Sequence, residues 1–452
     1  MQKKQSRQAM DRRTFLASAS AAGAGLALAQ TKRAKAQKAG SDDLNIAVIG
    51  LGEQGRVLIN SFTKIPGIRC KAACDIWSYS QQYGTNQLKR AGHPVTLYED
   101  YRELLATETD LDAAIIATPD WMHAEHAIAC MEAGLHVYCE KEMSNSLENA
   151  RQMVLTSRKT GKLLQIGHQR RSNPRYIHAI DNLIHKEGLL GRVTQAYGQW
   201  NRGKSEDLGT PRKHEMDAAT LEKYGYATMS QFRNWRWYRK YGGGPIVDLG
   251  SHQIDIFSWV FGTDPKSVMA SGGVDFYHQH EWFDNVMVIY EFENELGTSR
   301  AMYQVLTTTG HGSFYETFMG VEGTIELSEV PERGNSALRE PHTGPEGEAR
   351  WNEVARQGGL IRVKAPIEVV STKNINTDVR ASVPLGSWPL SVQLFKPAHQ
   401  PHLENFFDAI RLGKPLNCPG EVGYETAVAV LKVNEAVEAG RKIDFKPEDF
   451  HA

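Results

Sequence analysis

Leu44-Asn45-Ile46-Ala47-Val48-Ile49-Gly50-Leu51-Gly52-Glu53-Gln54-Gly55-Arg56 decides how the whole chain is read. Five of its first six residues are apolar or small, the pattern of a short strand buried on both faces. Gly50-x-Gly52-x-x-Gly55 follows, and after it the helix-like run Val57-Leu58-Ile59. The glycines suit a tight turn, close approach of backbone to a pyrophosphate, and close packing of helix on strand. The pyrophosphate rests on the free N–H groups and positive dipole end of the helix, with Glu53 and Gln54 in its first turn. With 40 glycines among 452 residues, the triplet alone carries little weight. Its place between strand and helix carries more, and so does the carboxylate that follows. A second strand over residues 68–75 ends in Asp75, about 20 residues past the last glycine, where a carboxylate holds ribose hydroxyls. The stretch therefore predicts a dinucleotide site.

Strand and helix patterns continue to alternate up to about Gly167. Residues 111–118 read as a buried strand ended by Pro119, 123–133 as a helix closed by Gly134, and 135–139 as the next strand. A helix from about Ser146 and a strand at 163–166 follow. Alternation at this spacing predicts a doubly wound parallel sheet, an α/β Rossmann domain over residues 39–170. Beyond Arg171 the character changes. Residues 193–200, 267–276, 286–292 and 299–306 read as strands with partial alternation and no intervening helices, and 314–327 adds more. They predict an α+β lobe over residues 171–452, built on a mostly antiparallel open-faced sheet. Between Ser328 and Gln400 the richness in Gly, Pro and charge predicts long loops. Residues 406–412 and 424–439 read as closing helices.

The first 38 residues read as a leader rather than as part of the fold. Asp11-Arg12-Arg13-Thr14-Phe15-Leu16 is a twin-arginine pattern, followed by an uncharged small-residue stretch and an A-x-A site at Ala27-Leu28-Ala29, with Ala34-Lys35-Ala36 a second candidate. A periplasmic or secreted protein, exported folded, is expected, with no membrane span after cleavage. Outside the cytoplasm there is no nucleotide pool, so a cofactor should be tightly bound and recycled in place. The net charge of −1 gives no electrostatic support for nucleic-acid binding. Five cysteines, an odd number without a C-x-x-C pair, read as core residues rather than a disulfide framework or zinc site. His278-Gln-His280-Glu281 lacks a third ligand at a recognisable spacing and reads as a polar loop, so no metal is expected.

Further motifs bring a family into view. They are Thr118-Pro119-Asp120 with His123, Ala133-Gly134-Leu-His-Val-Tyr-Cys-Glu140-Lys141, and Gly242-Gly-Gly-Pro-Ile-Val-Asp248-Leu-Gly-Ser-His252. With the glycine fingerprint, nearly the whole mature chain resembles the Gfo/Idh/MocA oxidoreductases. The resemblance implies a nicotinamide cofactor in the first lobe, touching Thr118, Pro119, His123, Glu140 and Lys141. It also implies a sugar or cyclitol over the second lobe's sheet, and dimers or tetramers formed through that sheet. One departure is visible: the family's Glu-Lys-Pro is here Glu140-Lys141-Glu142. Residues 139–145 and 165–174 are similar to exported bacterial members linked to 3-keto-glycoside metabolism, which favours a glycoside over free inositol.

The residues fit hydride chemistry on a sugar carbon. Lys141 follows a parallel strand at its carboxyl end, where open α/β sheets bind ligands. Asp248 and His252, four apart on a helix opening after Gly244, would share one face. His252 is the expected acid/base, Asp248 its partner, and Lys141 a hydrogen-bond donor with shared proton duty. Asp75 is followed by Ile76-Trp77-Ser78, with no arginine to meet a 2′-phosphate, so NAD is expected over NADP. Candidate sugar contacts are His168, Arg171, Tyr176, Trp200, Asn201, Arg236 and Trp237. Two activities remain open: an NAD-dependent dehydrogenase oxidising C3 of a glycoside, and a redox-neutral glycoside hydrolase working through a 3-keto intermediate.

Overall fold

The computed structural model describes residues 43–341, 343–362 and 385–452. The leader assigned to residues 1–38 lies outside them. Six strands form the first sheet: β1 Leu44–Ile49, β2 Ile68–Cys74, β3 Thr96–Tyr98, β4 Ala113–Ile116, β5 His136–Cys139 and β6 Leu164–Ile166. Their order is β3-β2-β1-β4-β5-β6, and every pair is parallel. The near-continuous apolar runs of β1 and β4 follow from helices covering both faces. The strand order reverses at β1 and β4, so their carboxyl ends open a crevice there.

The second sheet has nine strands in the order β14-β13-β12-β11-β7-β10-β9-β8-β15. They are β7 Val193–Asn201, β8 Pro265–Gly273, β9 Asn285–Asn294, β10 Gly297–Leu306, β11 Phe314–Gly320, β12 Gly323–Leu327, β13 Ser336–Arg339, β14 Gly386–Pro389 and β15 Ile443–Asp444. All neighbours are antiparallel except β7 and β10. The exception has a cause that the strand pattern did not reveal. Helices Ala218–Lys223, Met229–Arg233, Gly244–Asp248 and Ser251–Phe261 lie between β7 and β8, which corrects the expectation of no intervening helices. That excursion lets β7 sit mid-sheet beside a parallel strand.

The expected loops between Ser328 and Gln400 also include β13, β14 and the helix Gly344–Arg356. This helix forms because Trp351 and Val354, three apart, both bury against the sheet. Alternation along β9 and β10 puts Val286, Val288, Tyr290, Ala301 and Tyr303 inside. Met287, Ile289 and Met302 face out. The helix Gln400–Leu412 returns to the first lobe, where Leu403, Phe406 and Phe407 join the core of β1 and the helix Glu53–Phe62. All five cysteines are buried and free.

Candidate active site

Gly50 follows β1 with φ +96°, where side chains are disfavoured, and a Cβ there would lie 2.5 Å from the Ala117 carbonyl carbon. A Cβ on Gly55 would overlap the Gly50 carbonyl oxygen, so helix and turn pack with no room for a methyl group. At Gly52 a Cβ would meet nothing within 4 Å. Its backbone faces a cleft of about 650 Å³ and precedes the helix Glu53–Phe62, whose first N–H groups no side chain caps. Open space beside free donors at a helix start is what a pyrophosphate requires, and the residues present fit a dinucleotide. Glu53, Gln54, Thr118, Pro119, Glu140 and Lys141 all line this cleft.

Asp75 follows β2 and also lines the cleft. Its Oδ2 accepts from the Leu51 N–H at 2.7 Å and its Oδ1 from the Trp77 N–H at 2.8 Å. Burial pushes its carboxyl up to about 6, against the pull of those donors and of Arg56. Gln54 donates to Glu140 Oε1 at 3.1 Å and lies 3.0 Å from His399 Nε2, tying the glycine loop to the end of β5.

Residues 202–241 form a strap over the same cleft, which sequence reasoning missed. Tyr224 donates to Glu99, and Lys223 Nζ lies 3.3 Å from the same carboxylate. Trp77 Nε1 donates to the His214 carbonyl at 2.6 Å, Ser78 Oγ lies 2.9 Å from His214 Nδ1, and Trp121 Nε1 donates to Tyr226 at 3.2 Å. The Arg233 guanidinium sits 4.6 Å over the Trp77 ring. The available signal was the density of Tyr, Trp, Phe and Arg between Tyr224 and Tyr241.

Lys141, at the inner end of the cleft, donates through Nζ to the Asp248 carbonyl and lies 3.4 Å from Asp248 Oδ1. Arg236 Nε donates to that same Oδ1 at 3.0 Å. Burial alone would raise the Asp248 carboxyl, but Arg236 and Lys141 hold it well below the usual carboxylate range. Asp248 is therefore the partner of Lys141 and Arg236, and the expected pairing with His252 is corrected. The physical reason is that one helix stops at Asp248 and another starts at Ser251, so no continuous helix carries the four-residue spacing.

His252 instead stacks on Trp200, with ring centroids 5.4 Å apart and planes at 29°. Its Nδ1 is buried without a hydrogen-bond partner. Burial, then the charges of Lys141 and Arg170, push the imidazole well below its ordinary value, so it is neutral. His168 is buried with both ring nitrogens unpartnered, and burial takes it down to about 4. Asp120 was not singled out as a site residue. It starts the helix Asp120–Glu132, lines the cleft and is pushed up to about 7 by burial and then by Asp248.

Several expected contacts are engaged elsewhere. Arg171 Nε donates to both oxygens of Asp255, at 2.8 and 3.0 Å. Tyr176 is fully buried and donates to Glu316 at 2.8 Å, part of a core network with Arg170 and Glu329. Asn201 donates to the His311 carbonyl at 2.7 Å and accepts from Gln304. Trp237 stacks on His280 with centroids 4.0 Å apart. His123, expected at the cofactor, is buried between the Glu142 and Thr118 carbonyls, each 2.7 Å from a ring nitrogen. For Arg171, Tyr176 and Asn201 a residue distant in sequence supplies the polar partner. Trp200 stays against His252, and Arg236 against Asp248. Among the described residues no cluster of His, Cys, Asp and Glu could hold a metal ion.

Residues 44–168 match the oxidoreductase family with an NAD-binding Rossmann fold, and residues 179–326 match the GFO/IDH/MocA C-terminal domain. A glycosyl hydrolase family 109 protein of Solibacter usitatus (strain Ellin6076) is 31% identical over 264 residues, 54% of this chain and 55% of that protein. The D-glucoside 3-dehydrogenase of Escherichia coli (strain K12) is 25% identical over 232 residues, 49% and 55% of the two chains. The chain spans about half the length of the curated relatives it matches first. The fold is that of a levoglucosan dehydrogenase solved with NADH and levoglucosan, with a TM-score of 0.64 and 18% identity over 89% of this chain and 99% of that one.

Proposed function

The chain belongs to the GFO/IDH/MocA oxidoreductase family, and on that premise we propose that it transfers hydride between a sugar ring carbon, C3 of a glycoside, and a resident NAD. The observation that carries the reading is Lys141, which lines the nucleotide cleft and is anchored there by Asp248. Glu53, Gln54, Thr118, Pro119 and Glu140 on the cleft wall would hold the nicotinamide nucleotide, which when bound would supply reversible hydride acceptance. Lys141 donates a hydrogen bond to the reacting oxygen, and neutral His252 meets its proton as an acceptor. The cations around His252 disfavour the imidazolium, so the proton passes on, and Asp120 is a carboxyl on the cleft wall poised near neutrality.

The carboxylate of Asp75 supports NAD over NADP, because it repels a 2′-phosphate. Tertiary structure brings Arg233 and Arg56 to the same end of the cleft, so the identity of the nucleotide released on denaturation tests this choice. The strap supports a resident cofactor, since exchange requires breaking its ties to Glu99, Trp77 and Trp121. In this reading residues 1–38 are a twin-arginine leader and the working protein is periplasmic or secreted. A second reading, the redox-neutral glycoside hydrolase, is favoured by the relative named for glycosyl hydrolase family 109.

One experiment separates the two. Protein purified without added nucleotide is mixed with a panel of glucosides and galactosides, and the reduced-nicotinamide band and the sugars are followed. A lasting reduced band with a keto-sugar and an intact glycosidic bond is the expected result. Released aglycone without a lasting band would give the hydrolase reading instead.

A second copy of this chain is proposed to cover the open sheet face. Met269, Ile289 and Met302 stand in cross-strand register there, exposed by 47%, 39% and 43%. Ile289→Arg places a charge in the middle of that row. It is expected to lower the mass measured by analytical ultracentrifugation to that of a smaller assembly; an unchanged mass would move the interface elsewhere.

A further inference from the structure

Glu142 stands where the resembled family has proline, directly after Lys141. It is fully buried. Its Oε1 accepts from the Met143 N–H at 2.7 Å, and its Oε2 has no hydrogen-bond partner among the described residues. The adjacent cation, Lys141, is turned to Asp248. A carboxylate so placed would be a buried charge with a single donor, a state that proteins avoid by keeping the group neutral.

We propose that Glu142 is a positioning residue for Lys141: a proton-bearing buried acid that leaves Asp248 as the carboxylate the lysine pairs with. The proposal rests on the oxidoreductase reading and adds the control of its lysine. When Glu142 ionises, a second carboxylate appears beside Lys141 and competes with Asp248 for the ammonium. The lysine is then drawn from the reacting oxygen. The charged and titratable groups that bear on this carboxyl are Asp120 across the cleft wall, Lys141 on its own loop, and Asp255 on the helix Ser251–Phe261. Cys139 and Cys418 also sense its charge, and the His123 ring bonds its backbone carbonyl. Burial pushes the carboxyl up to about 8, Asp120 and Asp255 add to the shift, and the Met143 N–H and Lys141 oppose it.

The sign for stability follows. The unfolded chain loses this proton near 4.5 and the folded chain keeps it to about 8. Between those values the unfolded state binds fewer protons, so folding stability falls as pH rises through that window. Glu142→Gln, which mimics the protonated acid, should melt like wild type at pH 4 and progressively higher than wild type from there to pH 8.

The decisive measurement is the pH profile. Wild-type kcat/KM should fall about tenfold per pH unit above the Glu142 ionisation. In Glu142→Gln that alkaline limb should vanish or move up by at least about one unit, with neutral-pH activity retained. A residue with a packing role alone would alter activity equally at all pH values. An unchanged alkaline limb in the variant overturns the proposal. The infrared difference spectrum between pH 7 and pH 10, recorded on wild type and on Glu142→Gln, needs no substrate. Wild type should show at the lower pH a carbonyl band of a buried protonated carboxyl that the variant lacks, and the same band in both also overturns the proposal. If no sugar is turned over, the infrared and melting results still decide on Glu142, so failure of the oxidoreductase reading is told apart from failure of this one.

Discussion

Lys141→Met is expected to lower turnover by about 10²–10⁴-fold while leaving nucleotide in the cleft. Methionine keeps the length and apolar stem of lysine, so packing at the end of β5 is preserved and the lost group is the donor. Asp248 then keeps Arg236 as its cation, at 3.0 Å, so no buried carboxylate is stranded and the fold should hold. The split is informative. KM for the sugar should change far less than kcat, because the Lys141 hydrogen bond strengthens only as the carbon–oxygen bond changes order. His252→Ala provides the comparison. If it abolishes turnover and Lys141→Met does not, the acid/base role belongs to His252 alone. Single-turnover reduction of the resident cofactor, read by its near-ultraviolet band, checks both.

Gly52→Val should produce a folded protein that no longer retains nucleotide. Nothing in the chain lies within 4 Å of a Cβ at this position, so the side chain costs the apo fold little and instead occupies pyrophosphate space. Losing one or two charge-assisted backbone N–H contacts amounts to roughly 3 kcal/mol, about a hundredfold in affinity. Gly50→Ala should behave oppositely. Its φ of +96° and the crowding against Ala117 strain the turn itself, so a loss of about 3 kcal/mol of fold stability is expected. Melting temperature and bound nucleotide, measured on both variants, separate the two effects. A Gly52→Val protein that retains its cofactor would remove the pyrophosphate from this loop.

The candidate residues that the sequence pattern puts at strand ends and turns share one property: their environment is set by their own neighbours in the chain. Gly50, Gly52 and Gly55 belong to a turn whose geometry is local, and Asp75 and Lys141 stand at the ends of strands whose burial is written in their apolar runs. Tyr176, Arg171 and Asn201 were expected at the sugar because their side chains suit one. Their true partners, Glu316, Asp255 and His311, lie 140, 84 and 110 residues away. No periodicity records which distant group will satisfy a buried donor.

The sequence by itself determined the parallel and antiparallel lobes, the nucleotide turn and the candidate lysine, because strand period, glycine conformation and strand-end position are local quantities. Only the tertiary structure decided that Asp248 serves Lys141 and Arg236, that His252 is neutral against Trp200, that residues 202–241 strap the cleft, and that Glu142 is sealed from water. Those outcomes depend on burial and charge summed over groups far apart in the chain, which are defined only once the two lobes have packed together.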